Sequence, residues 1–381
     1  MSRMEIVLGW VYGVVDLAGP EVPVSDPRTE LEVEILHALR RPPCGVSFSG
    51  GRDSSAVLAI AVEVARREGL PAPIPVTKVF PDAPETDESE WQELVIDHLG
   101  LDDWVRLELH DELDLIGPYA ASLLTRHGAI WPPLLHSNMP ALEVVRGGSL
   151  LTGEGGDEVL GVDTHRVGPL TWMLRHPRAT RRRHLAAAWE SLAPLRSRTR
   201  RQLSDPDAEQ PWLRPAAVEV LRQMVIDDER HRPLGYASSV RAMQQERGSV
   251  LATRNETVVA GDYDVHLSQP LLDHRVIEAL AQDGGWLGRG NRTEVLRWLV
   301  GDLLPDDIIA RTSKVDFDTT FMTDLTADFA DRWDGSGLDD DLVDVELLRD
   351  IWRRGDRPGL SDPLLQAAWL ATEGANPQGV V

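Results

Sequence analysis

A short segment of glycine, serine and aspartate has the composition of a phosphate-binding turn. Residues 46–55 read Val-Ser-Phe-Ser-Gly-Gly-Arg-Asp-Ser-Ser. Adjacent glycines let backbone amides approach a phosphate closely, and the start of a following helix adds free N–H groups and its positive end. The hydroxyls of Ser49, Ser54 and Ser55 can hydrogen-bond the outer phosphates. The Asp53 carboxylate would repel phosphate unless a cation lay between them, so the segment predicts bound Mg²⁺.

A second acidic, glycine-rich turn follows later in the chain. Residues 149–158 read Ser-Leu-Leu-Thr-Gly-Glu-Gly-Gly-Asp-Glu, a short apolar strand that ends in glycines and acids. Asp157 could share with Asp53 a magnesium ion that bridges the phosphates, while the glycines leave room for AMP. Neither segment is a Walker A loop, because the pattern GxxxxGK[ST] is absent.

The two segments together resemble those of the asparagine synthetase family. SGGxDS is similar to the signature of the PP-loop ATP pyrophosphatases, in which the β and γ phosphates leave together as pyrophosphate. Followed by GEGGDE, it resembles the synthetase domain of asparagine synthetase and of its relatives, the β-lactam synthetases and the lasso peptide cyclases. Residues 270–275 are similar to the family's PFLD segment, and residues 303–311 to its LPxxI and arginine stretch, so the resemblance covers residues 43–317.

This resemblance implies a role for several residues. Asp53 and Asp157 match the magnesium ligands, and Lys314 matches a lysine that contacts the phosphates and steadies the transition state. Glu154 matches a carboxylate near the reacting carbonyl, which positions the amine or accepts its proton. The other matched positions form the pyrophosphate loop and line the adenosine, respectively Ser49, Gly50, Gly51, Ser54 and Ser55, and Phe48, Thr152 and Gly153.

Lysine is rare in this chain. Of the 39 basic residues only Lys78 and Lys314 are lysines, and the planar fork of arginine cannot always replace a compact ammonium group. Lys78 ends the second predicted strand, close to where the family's backbone meets adenine, so it could reach a phosphate. The alternative readings are a solvated lysine at a strand end for Lys78 and a surface lysine for Lys314.

Alternating strands and helices predict an α/β fold, a PP-loop parallel sheet flanked by helices with a mainly helical C-terminal part. Asp87 and Glu90 predict a capping box before the second helix. Ligands of such sheets bind outside the carboxyl ends of the strands, where both glycine-rich turns lie. The predicted strands are residues 44–48, 74–80, 105–109 and 149–152, and the predicted helices are residues 54–68, 88–99, 113–126 and 138–146.

Four regions are predicted along the chain. They are a short N-terminal extension at residues 1–40, the PP-loop core at 41–165, an arginine-rich helical insertion and linker at 166–215, and a helical part at 216–381 that completes the synthetase domain. Residues 166–201 carry ten arginines and one acidic residue. Such a run could dock an acidic peptide or substrate, or form a solvated helix face.

Composition excludes several classes of partner. A net charge of −23 opposes binding to nucleic acid, and no apolar run reaches transmembrane length. The single cysteine, Cys44, forbids an internal disulfide and a structural zinc or iron–sulfur site, which fits a cytoplasmic protein. The expected partners are a small-molecule or peptide carboxylate and an amine, and a partner protein or a homo-oligomer stays open.

Two features depart from the family pattern. The chain begins Met1-Ser2-Arg3, with too few residues before the first core strand for a glutaminase domain, so glutamine hydrolysis in this chain is not expected. The amine would be free ammonia, the product of a partner, or an amino group of the substrate. Asp264 and His266 lie where the family often has a glutamate, and His266 is either an alternative base or a packed histidine.

These observations predict an ATP-dependent amide-forming ligase that uses ATP and Mg²⁺. It would adenylate a carboxylate, release pyrophosphate and transfer the acyl group to an amine, in natural-product or peptide amide or macrolactam formation. The alternatives are a non-catalytic nucleotide-binding subunit of a larger complex and a synthetase subunit fed ammonia by a separate glutaminase. A PP-loop sulfurtransferase or tRNA-modifying enzyme is disfavoured, because the chain lacks catalytic cysteines and RNA-compatible charge.

Overall fold

A parallel sheet surrounded by helices forms the centre of the molecule. The computed structural model describes residues 1–16, 23–202, 210–313, 315, 317–355 and 357–373. The strands of the sheet, in chain order, are β1 (Cys44–Ser47), β2 (Ile74–Val79), β3 (Val105–Glu108), β4 (Ser149–Leu151) and β5 (His266–Ser268). The helices in the first half of the chain are α1 (Arg3–Leu8), α2 (Pro27–Leu39), α3 (Arg52–Glu68), α4 (Ser89–Leu99), α5 (Pro118–His127), α6 (Met139–Val144), α7 (Gly156–Val159), α8 (Gly168–Arg175), α9 (Arg182–Ser191) and α10 (Leu195–Gln202). Those in the second half are α11 (Pro215–His231), α12 (Tyr236–Met243), α13 (Arg247–Asp262), α14 (His274–Gly284), α15 (Arg292–Val300), α16 (Asp306–Ile309), α17 (Asp324–Arg332), α18 (Val345–Arg353) and α19 (Asp362–Thr372).

The strand order places the two glycine-rich turns side by side. All pairings are parallel and the order is β3-β2-β1-β4-β5. From β1 the chain adds β2 and β3 on one side and then β4 and β5 on the other, so the strand order reverses between β1 and β4. At this point Cys44 pairs with Ser149 and Val46 with Leu151. Such a switch point opens a crevice at the carboxyl ends of the strands, because the connections leave toward opposite sides. The predicted ligand crevice therefore lies where the turns after β1 and β4 meet.

Two apolar layers cover the faces of the sheet. Val46, Phe48 and Leu151 pack with α2 and α3 on one face, while Leu150 packs with α6 and α13 on the other. Because side chains alternate along a strand, the neighbouring residues Leu150 and Leu151 of β4 enter opposite layers. Cys44 is buried at the start of β1, within the first layer. The two layers hold the sheet rigidly beneath its functional edge, and the predicted α/β class is confirmed.

A separate cluster of large side chains forms the core of the C-terminal helices. Trp212, Phe329 and Trp352 are buried there, and Leu8 of α1 packs among them. The Gln210 side-chain amide donates to the Leu8 carbonyl at 2.8 Å. The first helix thus packs with the C-terminal part, whereas α2 packs on the sheet. The four predicted regions stay a prediction.

Some predicted elements differ from the structure. The helix predicted at residues 113–126 begins only at Pro118, because the buried Asp114 carboxylate accepts hydrogen bonds from Thr323 and Thr326 and fixes a turn before it. The prediction of a capping box formed by Asp87 and Glu90 is wrong. The Asp87 carboxylate accepts a hydrogen bond from the Ser89 amide at 2.9 Å, and Glu90 takes no part in the cap. Among the described residues, none of the helices combines the length and apolar character that crossing a membrane requires.

Candidate active site

The turn after β1 is a rigid loop that leads into α3. Gly50 has a positive φ of 84°, and a Cβ atom there would lie 2.8 Å from Gln92 Cγ. Gln92 Nε2 donates to the Ser49 carbonyl at 3.0 Å, and Ser54 Oγ donates to the Gly51 carbonyl at 3.1 Å. Gly51 precedes α3 without a side-chain cap, so the first N–H groups of this long helix are free of a capping side chain. Free amides at a helix start favour an anion.

The turn after β4 packs directly against this loop. A Cβ atom at Gly153 would lie 2.6 Å from the Ser54 amide nitrogen, and one at Gly156 would lie 2.1 Å from Asp53 Cγ. Both approaches are closer than any side chain permits, so glycine is required at these two positions. The structure thus brings the two predicted segments together through backbone contact.

Asp53 and Asp157 lie within reach of a single cation. Arg292, the first residue of α15, extends between them: Nη2 contacts Asp53 Oδ2, Nη1 contacts Asp157 Oδ1, and Nε donates to Asp53 Oδ1 at 3.3 Å. The Asp53 side chain is 14% exposed and that of Asp157 is 47% exposed. Burial raises the pKa of Asp53, and the positive charge of Arg292 opposes this change. The two carboxylates thus face the same guanidinium from two different turns.

The donor atoms at this point suit Mg²⁺, which prefers carboxylate and phosphate oxygens. The described residues contain no group of three or more His, Cys, Asp or Glu side chains arranged to hold a metal. Asp53 and Asp157 would therefore supply two ligands, and the phosphates and water the others, as is usual for Mg²⁺ bound with a nucleotide. Beside them Ser55 Oγ is buried and makes no hydrogen bond to the described residues. The residues present fit a magnesium–phosphate group.

At the positions matched to the adenosine pocket, the side chains are buried or absent, so a ligand there would meet backbone atoms more than side chains. The Phe48 ring is buried in the sheet core, and its carbonyl accepts from Thr77 Oγ1 at 2.7 Å. Thr152 is also buried, and its amide donates to the Ser268 carbonyl at 3.1 Å. Gly153, in the turn after β4, packs against the start of α3 at Ser54. Their contact with adenosine stays a prediction.

A second polar cluster surrounds Glu154, on the same edge of the sheet. Glu154 Oε1 accepts from Asn138 Nδ2 at 3.2 Å, and its Oε2 accepts from the Gln269 amide. The same Gln269 nitrogen donates to Glu256 Oε2 at 2.8 Å, so one amide joins two glutamates. Glu256 lies on α13 and Gln269 directly follows β5. The cluster gathers side chains from elements distant in sequence around the carboxylate that the sequence singled out.

Burial, modified by nearby charge, shifts two pKa values in this cluster. Burial, together with the nearby charge of Glu154, raises the pKa of Glu256 to about 8, so Glu256 holds a proton at neutral pH. Burial lowers the pKa of Lys78 to about 8, and the charge of Glu154 partly opposes this change. Lys78 Nζ donates to the Ser137 carbonyl at 3.0 Å. Lys78 is therefore half-buried and bonded within the chain near Glu154, which argues against the reading as a solvated lysine.

The segment that carries Lys314 is fixed at its start by a buried arginine. Arg311 Nη1 donates to the Gly50 carbonyl at 3.0 Å, Nη2 contacts Glu88, and Nε donates to Ser313 Oγ at 2.9 Å. Lys314 itself lies outside the described residues, and its role stays a prediction. Arg311 also lies over the Trp91 ring at 4.8 Å. It joins the loop after β1, α4 and the chain just before Lys314.

Replacing Arg311 by glutamine is expected to lower the free energy of unfolding by about 3–5 kcal/mol, because it leaves Glu88 buried and unpaired. The side chains of the pair are only 4% and 5% exposed. Urea unfolding measures the change. Arg297→Gln, which breaks the exposed pair with Asp306, is the matched control and should cost at most about 1 kcal/mol. Equal losses in the two variants would contradict a structural role for the buried pair.

His266 lies at the opposite edge of the sheet from Glu154. It begins β5 and pairs with Ser149, the first residue of β4, and its amide donates to the Gly148 carbonyl at 2.9 Å. Glu154 follows the other end of β4. The suggestion that His266 serves as an alternative base therefore receives no support from the geometry. The neighbouring Asp264 pairs with Arg41 at 2.9 Å, also away from the site.

Sequence reasoning missed Arg292, Glu256 and Gln269. A local signal existed for the first, because Asn291 and Glu294 form a capping box that starts α15 and fixes Arg292 in its first turn. Whether that first turn faces the two acidic turns depends on tertiary packing, which the local sequence does not show. For Glu256 and Gln269 the local sequence offers only an ordinary helix and a strand end.

One family of known proteins matches nearly the whole chain. Residues 36–371 match the family model described as asparagine synthase. The match includes both glycine-rich turns, Glu256, Arg292 and the segment around Arg311. No curated protein matches the chain.

Proposed function

Because the chain belongs to the asparagine synthase family, whose members are ATP-dependent amide-forming ligases, we propose that it activates a carboxylate as its AMP ester and transfers the acyl group to an amine. The observation that carries this proposal is that the two acidic turns pack together and that one guanidinium contacts both carboxylates. Gly156 lies against the Asp53 carboxylate, and Arg292 contacts both Asp53 and Asp157, which supports their assignment to one cation.

In the first step an oxygen of the substrate carboxylate attacks the α phosphorus of ATP. The bond from that phosphorus to the bridging oxygen breaks, and pyrophosphate leaves. The uncapped amides in the first turn of α3 and the serine hydroxyls of the loop bind the departing phosphates. Mg²⁺, when held by Asp53 and Asp157, supplies positive charge to the same oxygens. We assign a further positive charge there to Lys314 from its family position.

In the second step the amine nitrogen attacks the acyl carbon, and the bond to the AMP oxygen breaks. The amine must lose a proton, and we assign its acceptance to the glutamate pair. Within the pair we assign it to Glu154, because burial and the charge of Glu154 raise the pKa of Glu256 and favour its protonated form. Gln269 and Asn138 fix the Glu154 carboxylate from two sides, and Lys78 supplies a nearby positive charge.

Exchange of labelled pyrophosphate into ATP tests the first step directly. The protein would be screened with Mg²⁺, ATP and a panel of amino acids, peptides and other carboxylic acids, and exchange should depend on one of these acids. MgATP binding without exchange for any acid would favour the non-catalytic nucleotide-binding subunit. Amide formation from added ammonium, but from no other amine, would favour a subunit fed by a separate glutaminase.

The basic insertion offers a surface for the substrate. Leu185, Trp189 and Leu192 follow one another at helical spacing along α9 and face solvent, with Trp189 78% exposed. Around them lie arginines that form no ion pair with any carboxylate in the described part of the chain, namely Arg178, Arg181, Arg182, Arg183 and Arg196. Unpaired positive charge beside an apolar stripe suits an acidic, apolar peptide. We propose that this surface binds a peptide substrate.

The strongly negative net charge argues for a peptide over a membrane as the occupant. An anionic bilayer is an extended plane and would repel the rest of the chain, whose net charge is −23 overall despite the basic insertion. A short acidic peptide contacts the basic surface alone. The Arg175–Glu294 pair, at 3.3 Å, connects this surface to the start of α15 and thus to the candidate active site.

Trp189→Ser is expected to weaken binding of an acidic peptide by about tenfold, since aromatic anchors carry much of the energy of such contacts. The probe is a fluorescein-labelled peptide of alternating leucine and glutamate, followed by anisotropy. Trp10→Ser, at a 45% exposed tryptophan near the start of the chain and outside the basic insertion, is the matched control. Equal binding of the leucine–lysine counterpart, or binding only to phosphatidylglycerol vesicles, would contradict the assignment.

A further inference from the structure

Arg292 occupies the point where the two acidic turns meet. Its guanidinium contacts both Asp53 and Asp157, and its side chain is 15% exposed. A magnesium ion held by the same oxygens would compete with it, because the guanidinium and the metal are both cations drawn to the same two carboxylates. Arg292 is thus a built-in competitor of the metal.

The surroundings allow the side chain to move while its backbone stays fixed. The Arg292 amide donates to Asp163 Oδ2 at 2.8 Å, and the preceding Asn291 caps α15 together with Glu294. Beside the guanidinium lies a cavity of about 310 Å³, lined by Arg52, Asp157, Asp163 and Thr164 among others. An anchored backbone next to open space lets the guanidinium leave the carboxylates without displacing the helix.

The adjacent loop offers the guanidinium a new partner. Phosphates bound at the start of α3 would lie beside Asp53, within the region that the flexible side chain can reach, and arginine pairs well with phosphate oxygens. Arg52 already lies nearby, where it donates to Thr293 Oγ1 at 3.2 Å, so a second anion partner would also relieve repulsion between two arginines.

We propose that Arg292 changes its binding partners when the nucleotide binds, and this inference rests on the proposed function. Arg292 holds Asp53 and Asp157 in the nucleotide-free protein, releases them when MgATP arrives, and then binds the phosphates that leave as pyrophosphate. Mg²⁺ alone offers the guanidinium no new partner, whereas MgATP does. The nucleotide-free protein therefore binds a divalent cation weakly, and the metal enters together with its phosphates.

The test compares two binding measurements on Arg292→Gln. Titration of Mn²⁺ into the nucleotide-free protein, followed by electron paramagnetic resonance, should give binding at least about tenfold tighter in the variant, because two carboxylates lose their competitor. Calorimetric binding of MgATP should be at least about tenfold weaker, because a charged phosphate contact is lost. Arg297→Gln, which breaks an exposed pair with Asp306 at the other end of the same helix, should change neither value.

Opposite shifts in the affinities for Mn²⁺ and MgATP support the proposed change of partners by Arg292. Unchanged or weaker Mn²⁺ binding in Arg292→Gln would overturn it, as would MgATP binding that tightens along with Mn²⁺. If the glutamine variant does not fold, Arg292→Lys keeps the charge but cannot span both carboxylates, and the same opposite shifts are required of it. Mn²⁺ binding needs no reaction, so a protein without pyrophosphate exchange but with this pattern refutes the proposed function and leaves the Arg292 assignment standing.

Discussion

Replacing Asp53 by asparagine is expected to lower carboxylate-dependent ATP–pyrophosphate exchange by about a hundredfold or more, with the protein still folded. Asparagine keeps the shape that packs against Gly156 but removes the charge that draws a cation toward the phosphates. The residual exchange should require more Mg²⁺ than the wild-type protein does. Exchange rates over a series of Mg²⁺ concentrations, with circular dichroism to check folding, measure both effects.

The matched control for this variant is Asp87→Asn. Asp87 is an exposed aspartate whose carboxylate accepts from the Ser89 amide near the start of α4, away from the two acidic turns. Its replacement should leave exchange and its Mg²⁺ dependence unchanged. A folded Asp53→Asn protein that exchanges at the wild-type rate would refute the assignment of Asp53 as a magnesium ligand.

Glu154→Gln is expected to separate the two chemical steps. Adenylation does not require a proton acceptor at this position, so pyrophosphate exchange should persist. Amide formation should fall by about two to four powers of ten, the usual contribution of a general base. Rapid-quench measurements of AMP ester and amide product in one reaction distinguish the steps, and the AMP ester should accumulate.

Glu256→Gln tests which glutamate accepts the proton. Because burial and Glu154 raise the pKa of Glu256, a neutral amide resembles its protonated form at neutral pH, and amide formation should change little. If Glu256→Gln were as slow as Glu154→Gln, the acceptor would be the pair as a whole. Glu143→Gln, at an exposed glutamate bonded to Tyr119, controls for general effects of charge removal.

Features set by local sequence could be predicted before the fold was known. The loop after β1 and the turn after β4 each combine glycine, a strand end and a helix start within a few residues, so Asp53 and Asp157 were found from the local sequence, and Glu154 from the family resemblance that these turns carry. Parallel pairing then required both turns to share one edge of the sheet. The close contact at Gly156 follows from that topology.

Partners that come from distant elements could not be predicted. Arg292 is 239 residues from Asp53 and 135 from Asp157 in sequence, and only packing of α15 against α3 brings it to them. Glu256 belongs to a helix whose pattern is ordinary, and β5, with three residues, is too short for a periodic signal. The hydrogen bond of Lys78 was missed for the same reason, since the accepting carbonyl of Ser137 comes from another segment.

The single thiol at the start of β1 makes the molecule convenient for spectroscopy. Burial raises the pKa of Cys44 to about 11, so almost no reactive thiolate is present near neutral pH. A cysteine introduced on the surface, for example by Trp189→Cys, can therefore carry a fluorophore or spin label without first removing the native one. In the unaltered chain, the rate at which maleimide consumes the thiol reports how often the central strand becomes accessible to solvent.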